Sequence, residues 1–318
     1  MRALTLKSSG VQFERDYSPP PAADGEIPVR VLIGGICETD LQLIQGYMGF
    51  DGVLGHEFVG IAEEGEHAGK RVVGEINCPC RDCPACRAGQ TNHCPNRTLV
   101  GILKHDGAFA DRVWLPPENL HVLSDEIPTE VAVFAEPLAA AFQIPSQLKL
   151  DGSEFVVVLG DGRLGNLSAQ VIHALGCRLL VVGKHPKKLD LLDRLGIETR
   201  LLDDVDLDHA ADVVVDCTGS PNGITTALRL VRPLGTIVLK TTVAGEPPVS
   251  LAPVVIDEVT IVGSRCGPFP KALWALETGQ IDVRPLISAH FPLEEGVQAL
   301  EAAQRSGTLK VLLQINRE

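Results

Sequence analysis

The sequence lacks an apolar run long enough to span a membrane, and its first ten residues lack the apolar core of a signal peptide. It also has no internal repeat, no low-complexity tract and no long flexible linker. From these absences we expect a cytoplasmic protein without a membrane-spanning helix.

Basic residues are scarce, with 28 Lys and Arg against 41 Asp and Glu, which gives a formal net charge of −13. Nucleic acids and anionic membrane surfaces are bound by clustered Lys and Arg, so this balance argues against both partners. The 318 residues are 45% hydrophobic and 22% charged, as in a compact globular protein with room for two domains. We therefore expect neither a nucleic acid nor a membrane surface as a partner.

The most specific pattern among the nine cysteines is a C-x2-C-x2-C-x7-C spacing formed by Cys80, Cys83, Cys86 and Cys94. Four thiolates on a short loop predict a closed tetrahedral zinc site, which leaves no open position and is structural. Two disulfides are the alternative, but nothing else in the sequence suggests an oxidising compartment. Cys78 lies outside the spacing, as a spare or an alternative ligand. Three further cysteines in or beside apolar runs are expected to be inert core residues: Cys177, Cys217 and Cys266.

The pattern of apolar residues differs between the two halves of the sequence. Up to about Ala135, short Val- and Ile-containing runs broken by Gly, Pro and Asp indicate an antiparallel β domain. From Phe155 onward, continuous apolar runs predict strands that are covered on both faces. These runs are Phe155 to Leu159, Leu179 to Val182, Val213 to Val215, Thr236 to Leu239 and Thr260 to Val262. Near the C-terminus, Leu309 to Ile315 predicts a final strand that rejoins the first domain.

The segments between these apolar runs carry helix signals. Apolar residues at helical spacing follow the first strand, and Gly176 is placed to end that helix. After the second strand, Pro186 suits a first helical turn and Gly196 a helix end. This alternation of strand and helix predicts a doubly wound parallel sheet.

The first strand leads directly into a G-x-G-x-x-G motif, Gly160-Asp161-Gly162-Arg163-Leu164-Gly165. Glycines there permit a tight turn, a close approach of the backbone to a pyrophosphate and close packing of the helix on the strand. The position between a strand and an amphipathic helix makes the motif a specific signal for a nicotinamide dinucleotide.

The end of the second strand bears on the choice between NAD and NADP. An acidic residue there would bind the ribose 2′-hydroxyl of NAD, but this chain has Gly183, Lys184 and His185. Lys184, with His185 or Lys188, can instead supply a cation for a 2′-phosphate, which favours NADP. Alternatively, these lysines form a solvated helix entrance, and the preference stays open.

Three fragments in the first half carry further metal-ligand chemistry: Cys37-Glu38-Thr39-Asp40, Gly55-His56-Glu57, and Glu136 in the sequence EPLA. Together with the cysteine quartet and the glycine motif, and in this order, they resemble the zinc-dependent alcohol dehydrogenases of the medium-chain dehydrogenase/reductase superfamily. The resemblance is strongest to the branch with sorbitol and threonine dehydrogenases, and it covers essentially the whole chain.

The resemblance implies a GroES-like antiparallel β catalytic domain joined to a Rossmann coenzyme domain, with the active site in the cleft between them. We expect the catalytic domain at residues 1–137 with a structural-zinc lobe at 78–96, and the NAD(P)-binding domain at 138–267. Residues 268–318 are expected to return to the catalytic domain. The family also implies a homodimer or homotetramer.

The resemblance implies two zinc ions per subunit, one structural and one catalytic. Cys37 and His56 would bind the catalytic zinc, and Glu57 would be a direct ligand or exchange with water. Glu136 takes the place where other relatives use a second cysteine. Asp40 would orient the zinc ligands without binding the metal itself.

The reaction implied is hydride transfer between an alcohol or carbonyl and the cofactor, aided by zinc at the substrate oxygen. Thr39 would accept the alcohol proton, but Gln42 replaces a histidine that many relatives use in the next step of the relay. Cys217 and Thr218 are expected to line the cofactor, with Arg265 reaching it; Lys310 is a weaker candidate.

Other functions are compatible with parts of the pattern. An NAD-linked polyol or amino-alcohol dehydrogenase would differ only at the end of the second strand. A zinc-free quinone or enoyl reductase should lack Cys37, His56 and the cysteine quartet, and a non-catalytic cofactor-binding protein would keep only the glycine motif. The stretch between Asp40 and Gly55 is expected to line the substrate pocket.

Overall fold

The computed structural model describes residues 1–242 and 249–317, and the chain divides into two compact units. The first unit comprises Met1–Glu136, Ala272–Gly279 and Leu286–Glu318. The second unit comprises Pro137–Lys271 and Gln280–Pro285. None of the helices in the described ranges combines the length and the apolarity that crossing a membrane requires.

The strands and helices are numbered in chain order. The strands are Ala3–Lys7 (β1), Gly10–Glu14 (β2), Ile27–Gly35 (β3), Gly52–Val53 (β4), Glu57–Ala62 (β5), Arg71–Gly74 (β6), Asn77–Cys78 (β7), Thr98–Leu99 (β8), Arg112–Leu115 (β9), Leu120–Val122 (β10), Phe155–Leu159 (β11), Arg178–Gly183 (β12), Glu198–Leu201 (β13), Ala211–Asp216 (β14), Val231–Leu239 (β15), Thr260–Gly263 (β16), Ile287–Pro292 (β17) and Lys310–Gln314 (β18). The helices are Glu38–Ile44 (α1), Pro84–Arg87 (α2), Thr129–Ala132 (α3), Ala135–Gln147 (α4), Arg163–His173 (α5), Pro186–Asp193 (α6), Gly223–Leu230 (α7), Ala252–Ile256 (α8), Phe269–Glu277 (α9) and Gly296–Ala303 (α10).

The first unit is built on a seven-stranded sheet in the order β10-β6-β5-β3-β18-β17, with β9 also paired to β3. Among the described residues its pairs are antiparallel, as the broken apolar runs predict, except that β17 and β18 run parallel. The predicted final strand is confirmed, because Leu312 to Gln314 of β18 pair with β3. Smaller sheets, β2-β1-β4 and β7-β8, complete the unit.

The second unit holds one parallel sheet in the order β13-β12-β11-β14-β15-β16. This is the strand order of a Rossmann fold, in which successive strands are added first on one side of the first strand and then on its other side. Val156 and Val158 of β11 face one apolar cluster, whereas Val157 and Leu159 face another. Because both faces of β11 are covered, its sequence is apolar throughout and does not alternate.

The sheet of the second unit differs from the sequence prediction in two places. The β15 strand begins at Val231, earlier than the predicted Thr236, because Val231 pairs with Ala211 before the register shifts at a bulge. The edge strand β13, Glu198–Leu201, has alternately exposed residues and therefore no continuous apolar run to reveal it. The first difference concerns the limit of a strand and the second a strand that was not predicted, and the predicted fold class is confirmed.

Candidate metal and cofactor sites

The cysteine quartet lies in one loop of the first unit, around the short helix α2. The ligand atoms of Cys80, Cys83, Cys86 and Cys94 all lie within 4.8 Å of one another. The sulfurs of Cys83 and Cys86 are 3.5 Å apart, and Cys94 is 3.7 Å from Cys83 and 3.5 Å from Cys80. Sulfurs bound tetrahedrally to zinc are about 3.8 Å apart, whereas disulfide sulfurs are about 2 Å apart. The four side chains therefore fit zinc and not two disulfides.

The thiols of the quartet have divergent acidities, as expected where charges crowd together. Backbone N–H groups of Asp82 and Cys83 lower the pKa of Cys80 to about 6. Desolvation and the neighbouring thiols of Cys83 and Cys94 raise the pKa of Cys86 to about 12. A zinc ion bound among the four sulfurs would stabilise all of them as thiolates.

A second cluster in the first unit consists of Cys37, His56 and Glu57, whose ligand atoms also lie within 4.8 Å of one another. Cys37 caps the N-terminus of α1, where Asp40 reaches back and accepts the Cys37 N–H at 2.8 Å. His56 and Glu57 lie at the start of β5. Gly55 precedes them at φ +96°, and an added Cβ would lie 2.3 Å from the Phe109 ring. This position therefore requires glycine.

The surroundings of His56 favour a positive charge. His56 is 3% exposed, and its Nδ1 lies 3.2 Å from Oδ1 of the fully buried Asp40. Desolvation opposes charge on the ring, but Asp40 and Cys37 outweigh it and raise the pKa of His56 well above its ordinary value. His56 Nδ1 and Asp40 Oδ1 thus face each other, whereas Glu57 Oε1 is buried without a hydrogen-bond partner among the described residues. An unpaired carboxylate oxygen beside a thiol and an imidazole fits a metal ion.

Glu57 is held by Lys310, which the sequence indicated only as a weaker candidate for a site residue. Lys310 Nζ donates a hydrogen bond to Glu57 Oε2, and both side chains are 1% exposed. Lys310 also donates to the Ile36 carbonyl at 3.2 Å and lies 5.5 Å from the centre of the Phe134 ring. One carboxylate oxygen of Glu57 is thus paired, and the other, Oε1, is left for a metal.

Other predicted residues of this region occupy varied positions. Thr39 Oγ1 is 3.9 Å from Cys37 Sγ, close to the cluster. Gln42 donates to Glu38 on the exposed side of α1. Glu136 lies in the first turn of α4, and the cluster that the described residues form does not include it. Its role as a ligand stays a prediction.

The glycine motif of the second unit forms the predicted turn between β11 and α5. Gly160 has φ +113°, and a Cβ there would lie 2.6 Å from the Cys217 carbonyl. A Cβ on Gly165 would lie 2.0 Å from the Gly160 carbonyl, whereas one on Gly162 would meet nothing within 4 Å among the described residues. Gly162 is the N-cap of α5. The open space there leaves room for a pyrophosphate at the helix N-terminus, beside Arg163 and Leu164.

The end of β12 contains an arrangement that the sequence did not reveal. The Asp161 carboxylate accepts the backbone N–H groups of Lys184 and His185, both at 2.7 Å, and lies 3.0 Å from His185 Nδ1. A Cβ on Gly183 would lie 2.5 Å from Asp161. Asp161 therefore brings an acidic group to a strand end that has no acid of its own. The sequence feature that could have indicated this arrangement is Asp161 itself, the residue between the first two glycines of the motif.

Cys217, Thr218 and Arg265 lie around the ends of β14 and β16, whereas Lys188 lies in α6. Thr218 donates to Asp216 Oδ1 at 2.7 Å, which fixes the turn after β14. Burial raises the pKa of Cys217 to about 12, so this residue is a neutral thiol. Arg265 is exposed beyond β16, and Lys188 is half-buried in α6. Lys240, which the sequence did not indicate, donates to Ser264 Oγ at 3.0 Å.

Two family models match the chain. Residues 23–125 match the alcohol dehydrogenase GroES-like domain, and residues 164–278 match the zinc-binding dehydrogenase domain. The 2-dehydro-3-deoxy-L-galactonate 5-dehydrogenase of Pseudoalteromonas atlantica is 29% identical and covers 92% of this chain and 93% of its own. The erythritol/L-threitol dehydrogenase of Mycolicibacterium smegmatis is also 29% identical, over 94% and 93% of the two chains.

Solved structures of similar proteins extend over the same length. The alcohol dehydrogenase TADH from Thermus sp. ATN1 is 28% identical, with a TM-score of 0.87 over 99% of this chain and 100% of its own. A Sinorhizobium meliloti protein solved with bound NADP is 26% identical, with a TM-score of 0.87 over 98% of both chains. The similarity therefore includes both units.

Proposed function

Because the chain belongs to the zinc-dependent alcohol dehydrogenases of the medium-chain dehydrogenase/reductase superfamily, we propose that it transfers a hydride between an alcohol or polyol carbon and NADP. The observation that carries the proposal is the cluster of Cys37, His56 and Glu57, in which the buried Glu57 Oε1 has no hydrogen-bond partner among the described residues. A zinc ion bound there would act as a Lewis acid on the substrate oxygen.

Cys37 and His56 would hold the metal, and the neighbouring Thr39 would move a proton. Cys37 and His56 supply a thiolate and an imidazole, and Asp40 holds both, through the Cys37 N–H and beside His56 Nδ1. Thr39, next to Cys37, accepts the proton of the alcohol and passes it outward. Gln42 cannot take up that proton as a histidine would, so the relay continues through a cofactor hydroxyl or water.

A small polyhydroxylated alcohol is the substrate class that the relatives support, since their names include erythritol/L-threitol, D-arabitol-phosphate and D-xylulose enzymes. The test is a panel of polyols and sugar acids, assayed for NADP reduction with the zinc-loaded wild-type protein. Turnover that is lost in His56→Ala, with cofactor binding retained, supports the proposal. Equal turnover in the metal-free protein would argue for a zinc-free reductase.

The preference for NADP rests on Lys184 at the end of β12, where an NAD enzyme would carry an acid. Lys184 is exposed and close to the N-terminus of α6, as a 2′-phosphate requires. Binding of NADP by the S. meliloti relative agrees with this assignment. We expect Lys184→Ala to raise the KM for NADP more than tenfold and to leave the KM for NAD nearly unchanged.

The second candidate is an NAD-linked enzyme, and Asp161 is the observation that favours it. Its carboxylate already accepts the Lys184 and His185 N–H groups, which could otherwise bind a phosphate. A carboxylate there also repels a 2′-phosphate and can accept a ribose hydroxyl. Initial rates with both cofactors decide between the candidates, and Asp161→Asn should raise the NADP-to-NAD ratio if Asp161 opposes NADP.

We also propose that the protein is a cytoplasmic homodimer or homotetramer. No disulfide joins any of the nine cysteines, all of which lie in the described ranges, and this supports a reducing compartment. Val255 and Ile256 are 76% and 77% exposed beside the edge strand β16, and a second copy would cover such a surface. Light scattering on the purified chain measures the oligomeric state, and a monomer would contradict the assembly.

A further inference from the structure

We propose that Glu26, Cys78 and His105 form a separate metal site in the first unit, which binds zinc or a similar divalent ion. Their ligand atoms all lie within 4.8 Å of one another, like those of the two clusters described above. One carboxylate, one thiol and one imidazole are all zinc ligands, and three of them leave a fourth position for water.

The three side chains come from different parts of the chain, and each is held by a further partner. Glu26 directly precedes β3, and its Oε2 accepts the Ala23 N–H at 3.0 Å. Cys78 ends β7, and its sulfur accepts a hydrogen bond from Asn119 Nδ2 at 3.7 Å. His105 lies between β8 and β9. Secondary partners of this kind orient the first ligands of a metal.

The orientation of the His105 ring is the central observation. His105 Nδ1 lies 2.7 Å from the Asp106 carbonyl, which can only accept a hydrogen bond, so Nδ1 carries the proton. Nε2 lies 3.1 Å from Glu26 Oε1. In a neutral ring Nε2 would present a lone pair to a carboxylate oxygen, an arrangement that requires a shared cation. That cation is either a second proton on the ring or a metal ion.

The three side chains are mostly buried. The side chains of His105 and Glu26 are 11% and 8% exposed, and Cys78 is 8% exposed. A carboxylate at this depth carries a desolvation cost, which a bound cation would offset.

The presence of Cys78 favours a metal ion over a second proton. A proton on His105 satisfies Glu26, whereas the Cys78 sulfur, which accepts the Asn119 amide, keeps a further lone pair that a metal ion could use. Zinc would accept electron pairs from all three atoms, and ligand atoms about 2.0 Å from a tetrahedral ion lie about 3.3 Å apart, close to the 3.1 Å observed. The cysteine quartet does not need Cys78, because four sulfurs already complete it.

The zinc content of the full-length protein, purified without chelators and measured by mass spectrometry, tests this site. We expect Cys78→Ser, Glu26→Gln and His105→Gln each to hold one zinc per chain less than the wild type. Cys177→Ser is the matched control, since Cys177 is another buried free cysteine, in the second unit, and should lose none. Circular dichroism and thermal melting identify any variant that fails to fold.

Nitrogen NMR of the His105 ring in the zinc-loaded wild type provides a measurement that needs no variant. Zinc at this site predicts a ring with a proton on Nδ1 only. Cobalt replacement should also give a thiolate-to-cobalt absorption that is weaker in Cys78→Ser than in Cys177→Ser. A ring with two protons, or equal zinc content in the wild type and in the folded variants, would overturn the proposal.

Discussion

Replacement of Lys310 by methionine tests whether the Glu57–Lys310 pair is a buried, coupled ion pair. Both side chains are 1% exposed, so in the metal-free protein the variant leaves the Glu57 carboxylate uncompensated in the interior. Breaking such a pair from one side costs about 3–5 kcal/mol, because the remaining charge keeps its desolvation penalty. The lost hydrogen bond to the Ile36 carbonyl acts in the same direction.

Urea unfolding followed by tryptophan fluorescence is a suitable assay, because Trp114 and Trp274 both lie in the first unit. We expect the Lys310→Met variant to lose about 3–5 kcal/mol of unfolding free energy. Lys70→Met, at an exposed lysine of the same unit, should change it by less than about 0.5 kcal/mol.

The double variant Glu57→Gln/Lys310→Met separates the ion pair from simple packing. Because it removes the uncompensated charge, it should recover about 2 kcal/mol or more of the single variant's loss. A loss below about 1 kcal/mol in Lys310→Met, or no recovery in the double variant, would refute the coupling inferred from the geometry.

Three further outcomes follow from other contacts. Cys83→Ser should lose one zinc per chain and lower the melting temperature of the first unit, as seen by metal analysis and calorimetry; unchanged zinc would contradict a four-sulfur site. Gly165→Ala should lower the stability of the second unit by about 1–3 kcal/mol, because its Cβ would meet the Gly160 carbonyl. Gly162→Ala should leave that stability unchanged, because the space around its Cβ is open. Both variants should bind the cofactor more weakly in titrations. The Phe155 N–H and Arg232 lower the pKa of Asp212 below its ordinary 3.8, so Asp212 stabilises the fold above that pH and less as the pH falls through its folded pKa. Asp212→Asn should therefore be less stable than the wild type at pH 7, and the difference should shrink in acid.

The sequence predicted the second unit well because local signals and burial agree there. Runs such as Phe155 to Leu159 are covered on both faces, and Pro186 and the glycines mark helix limits that the structure retains. The edge strand β13 was missed because only one of its faces is packed, and it lacks a distinctive pattern.

The candidate sites were predictable where the ligands lie close together in the sequence, as in the cysteine quartet. Cys37 and His56 became candidates only through a family resemblance, because their spacing alone is ambiguous. The Glu57–Lys310 pair joins residues 253 positions apart, and the Glu26–His105 contact joins residues 79 apart. Such contacts arise from tertiary pairing of strands and loops, for which a single sequence carries no local signal.

The most direct measurement is the rate of NADP reduction with a panel of polyols, compared between the zinc-loaded wild type and His56→Ala. Both proteins should bind the cofactor equally, as measured by its fluorescence, because His56 lies in the first unit and the glycine motif lies in the second. Turnover by the wild type, with a loss of at least about a hundredfold and of one zinc per chain in His56→Ala, is the predicted result. Undiminished turnover or unchanged zinc content in His56→Ala would contradict a catalytic metal at Cys37, His56 and Glu57.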